Sequence, residues 1–218
     1  MAMGKTVGVI LAGGLASRMN SLDKPLLFLA GKPIIKHVID GALPQVDEIV
    51  LSVNRSIDSY QQFKLPLVTD HVSNSKGPLA GIFSAMKWFS EQENNAEYLA
   101  CFPADVPVFP NNIVSKLTDA MRGRPLRQRK DKKADNLIAW CKTGQQIQPL
   151  FSLWHFSLLE SLERAMQRGI YGPRLFFPEH ANVSLNLPTA EEPQFFNINT
   201  LADLELAESM LKRRERPR

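Results

Sequence analysis

The sequence of 218 residues lacks long apolar runs and has few cysteines and histidines. It contains no stretch of 18 apolar residues, so we expect no membrane-spanning helix and no membrane partner. Cys101 and Cys141 are its only cysteines, and with four scattered histidines they form neither a disulfide framework nor a zinc-ligand pattern. The first residues show no basic segment followed by an apolar stretch and a small-residue cleavage site, so we expect a cytoplasmic protein.

The excess of positive charge lies in two short segments. Residues 122–133 contain seven basic residues and one acidic residue, and residues 212–218 contain five basic residues and one acidic residue. Because the whole chain carries a net charge of only +4, the remainder is acidic, at −6. We expect 122–133 to be a solvated basic loop and 212–218 to be a disordered basic tail. The alternative is a weak contact with an acidic partner or nucleic acid, although nucleic-acid binding is not the function we expect.

Apolar segments of strand length alternate with amphipathic segments of helix length over the first 120 residues. The predicted strands are 7–11, 48–53, 67–68, 98–102, 136–140, 148–153 and 183–187. The predicted helices are one that begins at Pro33, then 78–89, 110–121 and 156–167, and a last one that begins at Thr200. Asp203 lies where the far end of a capping box at the start of this last helix would be. This alternation predicts a three-layer α/β/α, Rossmann-like domain at 1–211 with a mostly parallel sheet and right-handed crossovers.

The loop after the first predicted strand has the composition of a phosphate-binding loop. Gly13 and Gly14 let backbone N–H groups approach a ligand closely, and Arg18 and Lys24 place two positive charges near the same turn. A dinucleotide-binding fingerprint needs a third glycine at a fixed spacing, and this loop does not supply it. The alternative is a plain tight turn.

Polar residues also follow the other predicted strands, where ligands bind in sheets of this type. Ser52 and Asn54 follow the second strand, Asp70 follows the third, and Gly77–Pro78 open the next helix. Asp105 follows the fourth strand between two prolines, and a carboxylate held there can bind Mg²⁺ against phosphate oxygens. For both aspartates the alternative is a turn or helix-cap residue.

Six short motifs occur together in this chain. They are LAGG at 11–14, DK at 23–24, GPLAG at 77–81, FPADVP at 102–107, QPLF at 148–151 and NINT at 197–200. In this order they resemble the molybdenum cofactor guanylyltransferases, a family of the nucleotidyltransferase superfamily with a glycosyltransferase-A-like fold. The resemblance covers nearly the whole chain.

The resemblance implies transfer of GMP from GTP to the phosphate of molybdopterin or of its molybdenum-bound form. The product would be the guanine dinucleotide cofactor, with release of pyrophosphate. Residues 1–120 would form the GTP-binding half and 134–211 the pterin-binding half. The implied GTP-binding residues are Leu11, Ala12, Gly13, Gly14, Lys24, Ser52, Asn54, Asp70, Gly77, Pro78 and Asp105. The implied catalytic residues are Lys24, Arg18 and Asp105, with Asp105 also the Mg²⁺ ligand, and the implied pterin-binding residues are Gln148, Pro149, Asn197 and Asn199.

Several positions carry additional expectations. Related cytidylyltransferases usually read LAAG where this chain reads LAGG, so Gly13 favours guanine. Members of the family typically carry asparagine where this chain has Ser52. Residues 169–175 differ from the usual polar and basic run and are expected to form a wall on the pterin side. For Asn197 and Asn199 the alternative is a pair of turn and cap residues before the last helix.

Two other functions remain open at this point. A related cytidylyltransferase or a sugar-phosphate nucleotidyltransferase would share the glycine loop and the metal ligand. A nucleotide-binding protein that hands over the cofactor without turnover would share the binding residues only. We expect a monomer that makes transient contacts with cofactor-biosynthesis proteins or acceptor molybdoenzymes.

Overall fold

The computed structural model describes residues 4–13, 23–71, 77–92, 94–123 and 137–214. Its strands are β1 Thr6–Leu11, β2 Phe28–Leu29, β3 Lys32–Pro33, β4 Glu48–Ser52, β5 Leu67–Val68, β6 Tyr98–Pro103, β7 Ile138–Thr143, β8 Gln146–His155 and β9 Asn182–Leu187. Its α-helices are α1 Ile34–Ala42, α2 Ile57–Tyr60, α3 Pro78–Glu91, α4 Ile113–Arg122, α5 Leu159–Gln167, α6 Pro173–Phe176 and α7 Leu201–Arg214. In the described ranges, no helix has the length and apolar character needed to cross a bilayer.

Seven strands form one sheet in the order β5-β4-β1-β6-β8-β7-β9. Strands β5, β4, β1 and β6 are parallel, whereas β8 runs antiparallel to both β6 and β7. Strand β9 is parallel to β7. The prediction of an α/β domain with a mostly parallel sheet is therefore confirmed, with β8 as the one reversed strand of this sheet.

The side chains of alternate strand residues enter two hydrophobic cores, one on each face of the sheet. Ile10 of β1 packs in a core with apolar residues of α1 and α4. Val7 and Val9 of the same strand pack in the other core, with apolar residues of α3 and α5. Because both faces are covered, the exposed polar ends of the strands are left as the place where a ligand can bind.

Several element boundaries differ from the predicted ones. Helix α4 begins at Ile113, because its backbone N–H bonds to the carbonyl of Pro110 and closes the preceding turn. Strand β8 is longer than the predicted 148–153, since it extends the hairpin with β7 on one side and the ladder with β6 on the other. The short hairpin of β2 and β3 and the short helices α2 and α6 have too few residues to give a periodic signal.

The two basic segments overlap helices at their edges. Arg122 is the last residue of α4, and residues 124–133 of the predicted loop lie outside the described residues. Helix α7 continues to Arg214, so the predicted tail at 212–218 begins inside a helix and not after it. Residues 215–218 are outside the described part of the chain.

Candidate active site

The carboxyl ends of β1, β4 and β6 meet at one edge of the sheet. Leu11 is paired with Ser52 on one side and with Pro103 on the other. The Ala12 N–H donates to the Ser52 carbonyl at 2.9 Å, and the Ala104 N–H donates to the Leu11 carbonyl at 3.2 Å. These bonds carry the strand register into the loops, so the residues predicted from the strand ends come together at this edge.

Lys24 contacts two other polar residues at this edge. Its Nζ donates to Asp105 Oδ2 at 2.7 Å and to Asn199 Oδ1 at 3.1 Å. The side chains of Lys24 and Asp105 are only 18% and 23% exposed, so their ion pair is shielded more than a surface pair. Lys24, Asp105 and Asn199 come from three distant segments of the chain and meet at the Lys24 ammonium group.

Asn199 is held in place by the start of helix α7. The N–H groups of Asn199 and Thr200 both donate to Asp203 Oδ2, at 2.9 and 2.8 Å, and the Asp203 N–H donates to Thr200 Oγ1 at 3.1 Å. This reciprocal pattern is a capping box and confirms the predicted one. The hydrogen bond from the Asn199 backbone is the main reason that the pKa of Asp203 lies below its ordinary value, and the positive charge of Lys24 adds to it.

The backbone joins the same segment to the loop that follows β6. The Ile198 N–H donates to the Asp105 carbonyl at 3.0 Å, and the Ile198 side chain is buried between two exposed asparagines. The exposed side chains of Asn197 and Asn199 therefore flank Ile198, which is buried and held by its backbone. The structure brings Asn199 to Lys24, whereas Asn197 comes to the edge only as its near neighbour in the chain.

Asn54 and Asp70 form a second polar pair at this edge. Asn54 Nδ2 donates to Asp70 Oδ2 at 2.9 Å, and the Asp70 N–H donates to Asn54 Oδ1 at 2.9 Å. A Cβ atom added to Gly13 would lie 2.5 Å from Asn54 Nδ2. Position 13 therefore has no room for a side chain while Asn54 keeps its bonds to Asp70.

Ser52 lies below this edge and does not line its surface. The residue is only 2% exposed. A Cβ atom on Gly81 of α3 would lie 2.6 Å from Ser52 Oγ and 2.8 Å from Leu11 Cδ2. In this structure Ser52 therefore packs against Gly81 of α3.

The start of α3 is covered by a second segment. The Leu79 N–H donates to the Tyr171 carbonyl at 3.1 Å, and a Cβ atom on Gly77 would lie 2.3 Å from that carbonyl oxygen. Gly77 is thus needed for the close approach of the Tyr171 backbone. The segment 169–175, expected as a pterin-side wall, lies against Gly77–Pro78, which the resemblance assigns to the nucleotide side.

Gln148 and Pro149 reach the same edge from β8. The pairing of β7 with β8 changes from Trp140–Ser152 to Cys141–Gln148, so residues 149–151 form a bulge. Proline fits a bulge because it has no N–H to donate to a ladder. Since β8 is antiparallel to β6, its first half lies beside the carboxyl end of β6.

One contact near Lys24 was not expected from the sequence. Tyr60, at the end of α2, is fully buried, and its hydroxyl donates to Asp23 Oδ1 at 2.9 Å. Burial, followed by the charge of Asp23 and this hydrogen bond, raises the pKa of Tyr60 above its ordinary value. Asp23 belongs to the DK motif, but no sequence signal connects it with a tyrosine 37 residues later.

Two predicted residues of the glycine loop, Gly14 and Arg18, lie outside the described residues. Within the described ranges, no group of three or more histidines, cysteines or carboxylates could hold a metal ion by itself. Mg²⁺ in nucleotide sites is typically bound by one or two carboxylates together with substrate phosphates. The half-buried carboxylate of Asp105 at a strand end fits that donor set.

Solved structures of other proteins share the fold of this chain. The chain superposes on molybdopterin-guanine dinucleotide biosynthesis protein A from Archaeoglobus fulgidus with a TM-score of 0.71 at 22% identity, covering 95% of this chain and 99% of that chain. It superposes on 4-diphosphocytidyl-2C-methyl-D-erythritol synthase from Anaerococcus prevotii with a TM-score of 0.70 at 13% identity, covering 96% of each chain. The chain therefore has the α/β fold of the nucleotidyltransferases.

Sequence similarity defines the family. Residues 8–183 match the MobA-like NTP transferase domain, and the chain belongs to this family. It is 34% identical over 206 residues to the molybdenum cofactor guanylyltransferase of Nitrobacter hamburgensis, covering 94% of each protein. It is also 34% identical over 201 residues to the protein of the same name from Yersinia pestis, covering 92% of this chain and 94% of that protein.

Proposed function

We propose that this protein transfers GMP from GTP to the phosphate of molybdopterin or of its molybdenum-bound form and releases pyrophosphate. The names of its full-length relatives support this activity. The observation that carries it furthest is the position of Lys24, between Asp105 of the nucleotide side and Asn199 of the expected pterin side. One ammonium group there can contact the phosphates of both substrates.

Charge is the main obstacle to this reaction. A phosphate oxygen of the pterin attacks the α-phosphorus of GTP, a new P–O bond forms, and the bond from the α-phosphorus to the bridging oxygen of pyrophosphate breaks. Because the attacking oxygen is already anionic, no strong general base is needed. Catalysis then consists mainly of positioning and charge neutralisation.

Lys24, Arg18 and Asp105 are the residues proposed for that task. Lys24 would bind the triphosphate and Arg18 would add a second positive charge. Asp105 would hold Mg²⁺ together with phosphate oxygens, and the bound ion would neutralise charge on the triphosphate. In the structure Lys24 donates to Asp105 Oδ2, and the second oxygen of this carboxylate could hold the cation, since a carboxylate accepts at both oxygens.

The pair of Asn54 and Asp70 lies on the nucleotide side, at the end of the strands next to Gly13. We assign to this pair the contact with the nucleoside, together with the backbone of Leu11, Ala12, Gly13 and Gly14. Ser52 and Gly77 would act indirectly, since Ser52 is buried against Gly81 of α3 and Gly77 accommodates Tyr171. Pro78 follows Gly77 in the same nucleotide-side position. Gln148, Pro149, Asn197 and Asn199 would face the pterin.

Product identification is the direct test. The purified chain is incubated with GTP, MgCl₂ and molybdopterin, and the products are analysed by mass spectrometry and by pyrophosphate release. We expect a guanine dinucleotide and stoichiometric pyrophosphate. The same assay with CTP or UTP, and with a sugar 1-phosphate in place of molybdopterin, examines the related transferases, and turnover of one of those pairs alone would contradict the proposal. Binding of GTP without any product would favour a handover protein.

Gly13 provides a test of base choice. In Gly13→Ala the added Cβ would displace Asn54 from Asp70, because only 2.5 Å separates it from Asn54 Nδ2. We expect kcat/KM for GTP to fall by about tenfold, as for the loss of one charge-assisted contact, and the ratio of GTP to CTP turnover to fall with it. An unchanged ratio would remove Gly13 from base discrimination.

A further inference from the structure

The carboxylate of Asp23 has an unusual hydrogen-bond partner for a residue at the start of a helix. Asp23 precedes the 3-10 helix Lys24–Leu26 at its N-cap, where an aspartate normally accepts hydrogen bonds from the helix N–H groups. Its side chain makes no such cap bond, and only its backbone carbonyl accepts from the Leu26 N–H, at 2.9 Å. Asp23 Oδ1 instead accepts the hydroxyl of Tyr60 at 2.9 Å. The carboxylate therefore joins the Lys24 turn to another part of the chain.

Tyr60 is a rigid anchor for this bond. Its side chain is fully buried in the core shared with α1 and α4, and its ring lies 6.2 Å from that of Phe63. A buried phenol needs a hydrogen-bond partner, and Asp23 supplies it. Helix α2, which ends at Tyr60, lies in the connection from β4 to β5, which contains Asn54, and Asp70 follows β5.

We infer that Tyr60 is a positioning residue, which through Asp23 holds the Lys24 turn so that the Lys24 ammonium group reaches Asp105 and Asn199. A lysine side chain has many rotamers, and its ammonium group stays in one place only if the backbone that carries it is fixed. The tip of Lys24 is held by Asp105 and Asn199 and its base by Asp23 and Tyr60. The importance of this positioning for catalysis rests on the proposed contact of Lys24 with phosphates.

Tyr60→Phe removes the hydroxyl and keeps the buried ring, and Tyr98→Phe is its matched control. Tyr98 is also mostly buried, but it begins β6 and therefore lies at the opposite edge of the sheet. Lys24 accessibility is measured by acylation with a soluble active ester and mass spectrometry, with Lys5, at the opposite edge beside Glu48, as internal reference. We expect acylation of Lys24 to rise by about threefold or more in Tyr60→Phe, as for a locally released segment, and not to change in Tyr98→Phe.

Nucleotide affinity provides the second readout. We expect Tyr60→Phe to weaken binding of GTP by about tenfold, with no change in the binding of guanosine, which has no phosphates. In the Lys24→Ala background the same substitution should have no further effect on GTP affinity, because the group that it positions is already absent. A purely structural role for Tyr60 would weaken GTP and guanosine equally and would add to the effect of Lys24→Ala.

Two variants at Asp23 keep the test independent of how Tyr60→Phe folds. Asp23→Ala should reproduce both effects, whereas Asp23→Asn keeps an oxygen acceptor for the Tyr60 hydroxyl and should restore most of the wild-type behaviour. An unchanged acylation rate of Lys24 in both Tyr60→Phe and Asp23→Ala would overturn the inference. Because acylation needs no nucleotide, it tests the role of Tyr60 even if the wild-type protein fails to bind GTP. Failure to bind GTP would contradict only the proposed function.

Discussion

The Lys24 ammonium group lies 2.7 Å from the Asp105 carboxylate. On helix α1 and the strand before it, the ammonium groups of Lys36 and Lys32 lie 2.5 and 2.6 Å from the Asp40 carboxylate. The two clusters have similar geometry but different surroundings. The Asp40 cluster is about 42% exposed and joins neighbours in the chain, whereas the Asp105 pair is half as exposed and joins residues 81 positions apart. Lys24 also contacts Asn199. The length of the ion pair therefore does not distinguish the two clusters, whereas the shielding of the pair and its convergent partners do.

The largest effect is expected for Asp105→Asn. An amide cannot neutralise a cation, so we expect kcat to fall by at least about 100-fold, the scale of a lost electrostatic contact to the transition state. Pyrophosphate release is measured with saturating GTP and Mg²⁺, and the thermal unfolding curve shows whether the fold is intact. Asp40→Asn is the matched control, and equal losses in the two variants would make the distinction between the two clusters wrong.

A smaller effect is expected for Lys24→Ala. Removal of the Lys24 ammonium group would take one charge-assisted contact from the triphosphate, so we expect kcat/KM for GTP to fall by about 10- to 100-fold. Lys24→Arg should recover only part of the loss, because a guanidinium group does not fit a site built for a compact charge. Steady-state kinetics against Lys36→Ala measure the difference. Kinetics of Lys24→Ala that equal those of Lys36→Ala would exclude a phosphate contact.

Asp203→Ala tests the role of Asn199, the additional partner of Lys24, because Asp203 caps the segment that holds Asn199. Loss of this cap should lower the free energy of unfolding by about 1 kcal/mol and reduce turnover by severalfold, because Asn199 is no longer held against Lys24. The folded-state pKa of Asp203 lies below its ordinary value of 3.8. Its contribution to stability is therefore fully present above that value and is lost as pH falls through the lower, folded-state pKa. Urea unfolding of both proteins at pH 7 and below pH 3.8 measures this change. A difference in stability that stays constant over this range would contradict the role of the ionised carboxylate.

The smallest effect is expected for Asp40→Ala. Burial is the largest single cause and raises the pKa of Asp40, but the hydrogen bonds and charges of Lys32 and Lys36 together outweigh it and hold that pKa below its ordinary value. Because the cluster is exposed, we expect a loss of less than about 1 kcal/mol in unfolding free energy, and less still in high salt. Activity should not change. A loss of turnover would show that the α1 surface takes part in the reaction.

Much of this site could be predicted because strand ends are visible in the sequence. An apolar run that stops at Gly13, Asn54 or Asp105 marks the end of a buried strand, and parallel strands bring such ends to one edge. Ser52 shows the limit of this reasoning. It occupies a strand end like the others, but its buried side chain packs against Gly81 of α3, and the sequence does not indicate which side of the sheet it faces.

Contacts between distant segments could not be predicted in the same way. The reversal of β8 brings Gln148 to the edge, and the bond to the Tyr171 carbonyl holds 169–175 against the start of α3. Neither follows from local periodicity, since a strand of either direction has the same pattern of apolar residues. Tyr60 likewise has the sequence context of an ordinary core residue.

The sequence by itself determined the α/β class, the glycine loop, the two strand-end aspartates and the capping box at Thr200 and Asp203, because these depend on residues close together in the chain. Only the tertiary structure decided that Lys24 lies between Asp105 and Asn199 and that Tyr60 anchors Asp23. The physical reason is that hydrogen bonds of about 3 Å fix position far more narrowly than apolar packing, which tolerates many arrangements of similar volume. Which polar groups form those bonds is known only when the whole chain has folded.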